Sequence, residues 1–195
     1  MTEDELLAAA RGGDQHAFAE LLDVHDRPLR TLAYRVLGNR DDMDDAMQEA
    51  AVKAFVNLGS FNGRSSFGTW LYRITYTTCL NLLRARRDVA APVGLGQMDQ
   101  GPARGGRSLA TAGSVHDPAA SVGERLDLED ALRSLSDEQR AAVTLVLELG
   151  YPLAEAAAIL EVPVGTVSSR LWHARAVLQR SLDPPSTAGE DHGHA

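Results

Sequence analysis

The stretch YPLAEAAAILEVPVGTVSSRLWHAR, residues 151–175, reads as two short helices around a tight turn. Pro152 suits a first helical turn, where a missing N–H costs nothing, and LAEAAAIL supplies good helix formers. The helix then breaks at Glu161-Val162-Pro163, because the residue before a proline avoids the helical region. From there the apolar positions are Val164, Val167, Leu171, Ala174 and Leu178, a stripe along one helical face. Gly165, Ser169, Trp172, His173 and Arg180 fall on the opposite face, with Ser168, Arg170 and Arg175 on its flanks. A helix that lies in a DNA groove needs this arrangement: a bare N-terminal end that approaches bases, and hydroxyls and arginines for phosphates. An ordinary helical hairpin would share the apolar stripe. It would not place a tryptophan outward, which is costly in water unless a partner covers it.

The overall charge opposes that reading. The 195 residues hold 27 Asp and Glu against 19 Lys and Arg, a net charge of −8. Ala, Leu, Arg and Glu dominate, and Val, Ile and Thr form no alternating runs, so the expected fold class is all-α. No run approaches the roughly 18–20 apolar residues that cross a bilayer. The start, MTEDELLAAARGG, lacks the basic end and apolar core of a signal peptide, which points to a cytoplasmic protein with no membrane association. The single cysteine, Cys79, excludes an internal disulfide and an all-cysteine metal site, and reads as a small buried apolar residue.

Composition divides the chain. Residues 1–13 form an N-terminal segment, and residues 14–88 carry helical periodicity. Residues 89–123 are rich in Gly, Ala, Pro and Ser without an apolar period and read as a flexible linker. Periodicity returns over 124–182, and 183–195 reads as a disordered tail whose two histidines form part of a solvated end. The expectation is two small helical domains joined by a linker.

Charge in the first domain is balanced in number, ten acids to ten bases, but sorted along the chain. Asp41, Asp42, Asp44, Asp45 and Glu49 cluster at the start of one helix, as a helix dipole partly explains. Arg64, Arg73, Arg84, Arg86 and Arg87 follow with no acid between them, a segment suited to a polyanion. Over 41–58, Met43, Met47, Ala50, Ala54, Phe55 and Leu58 share one face. Asp45, Gln48, Glu49, Val52 and Lys53 lie outward, with Val52 an apolar residue among polar ones. Further on, a Gly- and Ser-rich loop leads into a helix starting near Ser66. Arg73, Thr77, Asn81 and Arg84 make a polar stripe along it. Phe67 and Trp70, at helical spacing, are assigned to packing.

These segments resemble the bacterial extracytoplasmic-function (ECF, group 4) RNA polymerase sigma factors. Residues 134–179 are similar to the domain that reads the −35 promoter element: Leu135, Arg140, Val162, Gly165, Thr166, Val167, Ser169, Arg170, Leu171, Ala174 and Arg175 stand where the family has those types. Ser168 replaces a usual Lys or Arg, and His173 a frequent Arg. The resemblance implies −35 contacts by Gly165, Thr166, Ser168, Ser169, Arg170, Trp172, His173 and Arg175. Asp42, Asp45, Gln48 and Glu49 match the family's segment that docks on the β′ clamp helices, which implies a core-polymerase patch of Asp45, Gln48, Glu49 and Val52. Phe67, Trp70, Leu71, Ile74 and Thr77 match its −10 pattern, with Thr77 in place of Asn. That implies −10 binding and strand melting by Phe61, Asn62, Arg64, Arg73, Tyr76, Thr77, Asn81, Arg84 and Arg87. The implied partners are core RNA polymerase (β′ clamp helices and β flap), promoter DNA and an anti-sigma factor.

A stand-alone helix-turn-helix regulator would have no use for 41–58 or 59–87. An enzyme is disfavoured: no phosphate-binding loop, nucleophile elbow or zinc-protease motif is present, and no cofactor or metal is expected. An adaptor or anti-sigma protein would not carry DNA-facing chemistry at both ends. The acidity is reconciled if a larger partner carries both domains, because each then needs only a local, weak contact.

Overall fold

The computed structural model describes residues 1–90 and 129–182. Nearly all of the linker and the whole tail read from the sequence lie outside these residues. Among the described residues there is no strand, and the fold is all-α. The chain folds as α1 (Glu3–Arg11), α2 (Gln15–Leu37), α3 (Arg40–Asn57), α4 (Phe67–Ala90), α5 (Asp137–Val143), α6 (Leu153–Leu160) and α7 (Val164–Leu182).

Local chemistry sets these boundaries. Thr2 and Glu5 form a capping box that starts α1, and the i, i+4 pair Leu6 and Ala10 is buried. Within residues 1–13, expected as an N-terminal segment, Glu3–Arg11 form a helix packed on α2. Asp14 caps α2 by accepting from the His16 and Ala17 amides, and Gly38 ends it at φ 79°. Asn39 caps α3. The Ser66 hydroxyl accepts from the Thr69 amide at the head of α4. Ser136 and Gln139 form a second capping box at α5. That helix widens into a π turn over Thr144–Glu148 before Gly150 reverses the chain at φ 73°.

Two helical bodies, α1–α4 and α5–α7, result, but they are not separated in space. α4 packs against α6, and α2 against α5. One apolar cluster runs from Leu21, Leu32 and Leu71 in the first body to Leu145, Ile159 and Val167 in the second. Arg140 rivets the seam. Its guanidinium donates to the Leu132 and Leu135 carbonyls within its own body and to the Arg35 and Val36 carbonyls at the end of α2. Arg35 in turn makes two bonds to the Glu148 carboxylate, both 3.1 Å. The Tyr72 and Tyr151 rings meet edge to face at 5.1 Å. Burial and the hydrogen bond with Tyr151 hold the Tyr72 phenol well above its ordinary range.

Cys79 is fully buried, and burial pushes its thiol up to about 12. Asp42, one of the acidic cluster at the start of α3, is also buried. It pairs with Arg86 of α4 and accepts from Asn39, so both charges serve packing. Phe55, expected inward, lies at the rim of the first body against Phe18 at 5.1 Å, and Ala46 takes a core position instead.

Candidate nucleic-acid and polymerase interface

The turn between α6 and α7 is built on Glu161, which adopts the left-handed conformation at φ 54° and caps α6 through its amide to the Ala157 carbonyl. From this corner α7 projects with two distinct faces. Val167 and Ala174 are fully buried. Val164, expected inward, is largely exposed instead, because it sits at the open end of the helix. Opposite them, Gly165, Ser168, Ser169, Trp172, His173 and Arg175 are exposed. Trp172 is 68% exposed and is touched edge to face by the His173 ring at 4.8 Å. Thr166 and Arg170 are half-buried, and one Arg170 nitrogen, Nη1, is enclosed without a partner. The expected −35 residues thus share one surface, except that Arg170 turns inward.

On α3, Asp45, Gln48, Glu49 and Val52 lie exposed along one side, with Val52 60% exposed. Glu49 pairs with Lys53 at 2.7 Å. A groove of about 350 Å³ between α2 and α3 runs beside them, lined by Asp23, Asp26, Asp44 and Gln48. Arg30 ties Asp26 to Asp44 across it. Sequence reasoning missed Val56, 74% exposed, which continues the Val52 surface at i+4. The signal was present as a second apolar residue on the outward face.

The loop before α4 is shaped by Gly63 at φ 73° and by the Asn62 side chain, which accepts from the Arg64 amide at 3.1 Å. Asn62 and Arg64 are exposed. Phe61 is not. It is buried against Phe67 and Trp70 and lies under the Arg11 guanidinium, 5.4 Å from its ring centre, while Arg11 also donates to the Phe61 carbonyl. Phe61 therefore anchors the loop rather than offering a face to a base. Tyr76, also expected at the −10 surface, is only 4% exposed, and burial raises its phenol to about 12. The polar stripe otherwise stands: Thr77, Asn81, Arg84 and Arg87 are exposed, and Arg84 donates to Asn81 at 3.3 Å. Arg73 is half-buried and engaged by the second body.

No helix among the described residues is long and apolar enough to cross a membrane.

Comparison with known proteins shows the family. Residues 21–89 match the family model for sigma-70 region 2, and residues 125–178 match that for sigma-70 region 4. The chain is 37% identical to the ECF RNA polymerase sigma factor SigM of Mycobacterium tuberculosis, over 93% of this chain and 85% of that protein. It is 32% identical to the ECF RNA polymerase sigma-E factor of Escherichia coli K12, over 94% and 96%. Among solved structures it is similar to the sigma factor RpoE in complex with the anti-sigma factor NepR from Bartonella quintana. That match has a TM-score of 0.67 and 28% identity, and it covers 85% of this chain and 96% of that one. Two regions matched in order, with relatives at 32–37% identity over 93–94% of the chain, place it in a single family: it belongs to the ECF RNA polymerase sigma factors.

Proposed function

We propose that the protein directs core RNA polymerase to a set of promoters through three surfaces. The acidic side of α3, with Val52 at its centre, docks on the positively charged clamp helices of the β′ subunit. The loop 61–66 and the polar stripe of α4 hold the melted −10 strand, and the outer face of α7 reads the −35 element. An anti-sigma factor restrains it, as the similar structure contains such a partner for its own sigma factor. The observation that carries the −35 assignment is the two-sidedness of α7. Small residues, hydroxyls and Trp172 are exposed opposite the fully buried Val167 and Ala174.

Acidity fits this division of labour. The C-terminal segment 124–182 has six arginines against nine acids, too few cations to hold DNA by phosphate contacts alone. Polymerase supplies the non-specific affinity, and each surface acts at high effective concentration. Melting costs a few kcal/mol per unstacked base, offset by stacking and phosphate contacts to the displaced strand. Run-off transcription with core enzyme tests the reading. Asp45→Lys should abolish co-purification with polymerase. Arg84→Ala with Arg87→Ala should weaken open-complex formation more than polymerase binding; equal loss of both would reject the −10 assignment.

A further inference from the structure

We infer that Arg11, the last residue of α1, is a positioning residue for promoter melting, holding the loop 61–66 in shape through the Phe61 carbonyl and ring. This rests on the −10 role proposed for that loop. The match to sigma-70 region 2 begins at residue 21, so α1 and Arg11 lie ahead of it. The loop has few anchors of its own. Asn62, Gly63 and Arg64 are exposed, and the bond from the Arg64 amide to the Asn62 side chain is internal to the loop. The Ser65 hydroxyl donates only to the neighbouring Ser66 carbonyl, and Ser66 bonds onward to α4. Among the described residues, one hydrogen bond reaches residues 61–65 from a distant part of the chain: Arg11 Nη2 donates to the Phe61 carbonyl. The same guanidinium stands 5.4 Å from the centre of the Phe61 ring. The helix that carries it is a fixed post, since Leu6 and Ala10 are buried and α1 packs on α2.

Two grooves border the aromatic cluster and share no residue. One, of about 690 Å³, is walled by Glu3, Asp4, Leu7 and Arg11 of α1 together with Phe61. The other, of about 460 Å³, is walled by Trp70 with Lys53, Arg73 and Thr77, and Glu161 also lines it. Two acids make the first groove unfavourable to a phosphate chain, so the strand belongs on the α4 side and Arg11 backs the loop without touching DNA. Its effect still reaches the strand. The Phe61 and Trp70 rings lie 5.4 Å apart, and Phe67 touches them at 5.8 and 5.6 Å. In a close-packed cluster a displaced Phe61 moves Trp70, the wall of the second groove. A loop already held in its capturing shape also avoids the ordering entropy due when a base arrives. Arg11 therefore acts on the melting step and not on the first encounter with the promoter.

The test uses the full chain, alone and reconstituted with core polymerase. Arg11→Met keeps the side-chain stem and removes the donor and its charge. In the free chain it should speed amide hydrogen exchange across 61–66 by about fivefold, the scale of one partly exposed charge-assisted bond, and leave the middle of α4 unchanged. In the holoenzyme the conversion of closed to open complex should slow by about fivefold, with closed-complex affinity and its salt slope unaltered. Arg27→Met removes the same charge from an exposed position on α2 and should leave every reading as it was. Unchanged exchange would overturn the inference. So would a salt slope lower by about one, the mark of a lost phosphate contact. Faster exchange with normal melting would overturn it as well, provided the Asn62→Ala, Arg64→Ala holoenzyme melts poorly. If that loop variant melts promoters normally, it is the −10 reading that fails.

Discussion

The Arg140 guanidinium donates to the Arg35 carbonyl at 3.1 Å across 105 residues of sequence, so a single side chain joins the head of α5 to the tail of α2. It is also bonded to carbonyls in its own body, and its removal leaves several enclosed acceptors without a donor. Arg140→Met should therefore cost about 3 kcal/mol. Arg140→Lys should recover little, since an ammonium cannot reproduce the planar fork. Urea unfolding followed by tryptophan fluorescence checks this, because Trp70 and Trp172 report on different bodies.

His25 is enclosed beside Phe67, and its Nε2 has no partner. Burial lowers its pKa below 6.5, against a smaller opposing effect of Glu3. The folded state therefore favours the neutral ring. Its contribution is fully present above pH 6.5 and is lost as pH falls through 6.5 towards the folded value, because the unfolded chain takes up the proton first. Thermal denaturation at pH 7.5 and 5.5 should show a drop in Tm at the lower pH, and His25→Leu should reduce that drop.

Gly68 lies under the same ring. A Cβ there would stand 3.0 Å from His25 Cε1 and 3.4 Å from Nδ1. Glycine-to-alanine in a helix ordinarily gains about 1 kcal/mol, but here the ring must move first. Gly68→Ala should destabilise the wild type and stabilise a His25→Ala background. A double-mutant cycle from denaturant midpoints reads that change of sign.

On α7, Val167→Ala should cost about 2 kcal/mol of stability, because the side chain is fully buried. Trp172→Ala should change stability by less than about 0.5 kcal/mol and reduce transcription from −35-dependent promoters. Melting curves and run-off assays on the same two proteins separate packing from recognition. Undiminished transcription by Trp172→Ala from −35-dependent promoters would remove Trp172 from the reading surface.

The helices were legible in the sequence because caps and periodicity are local. The outward face of α7 was readable for the same reason: Gly165, Ser169, Trp172 and His173 are fixed by helical phase from Val167. What escaped was tertiary. Tyr76 sits beside the polar stripe of α4, and its burial, with Arg170, Asp137 and Glu138 of the second body nearby, is set by tertiary packing. Asp42 matched the acidic family segment, and Arg86 draws it into the seam of α3 and α4. The helix α1 carries its own local signals, the capping box of Thr2 and Glu5 and the apolar run Leu6–Ala10, but only its packing on α2 shows that the segment belongs to the first body. Arg140 matched a family position without any hint that it spans two bodies.

The burial of Cys79 has a consequence for signalling. The chain's sole sulfhydryl is protonated at any physiological pH and shut away from oxidants, so it has neither the thiolate nor the access that peroxide or disulfide chemistry demands. An oxidative signal read through thiol chemistry must therefore be sensed by another molecule and delivered to this protein as a change in binding.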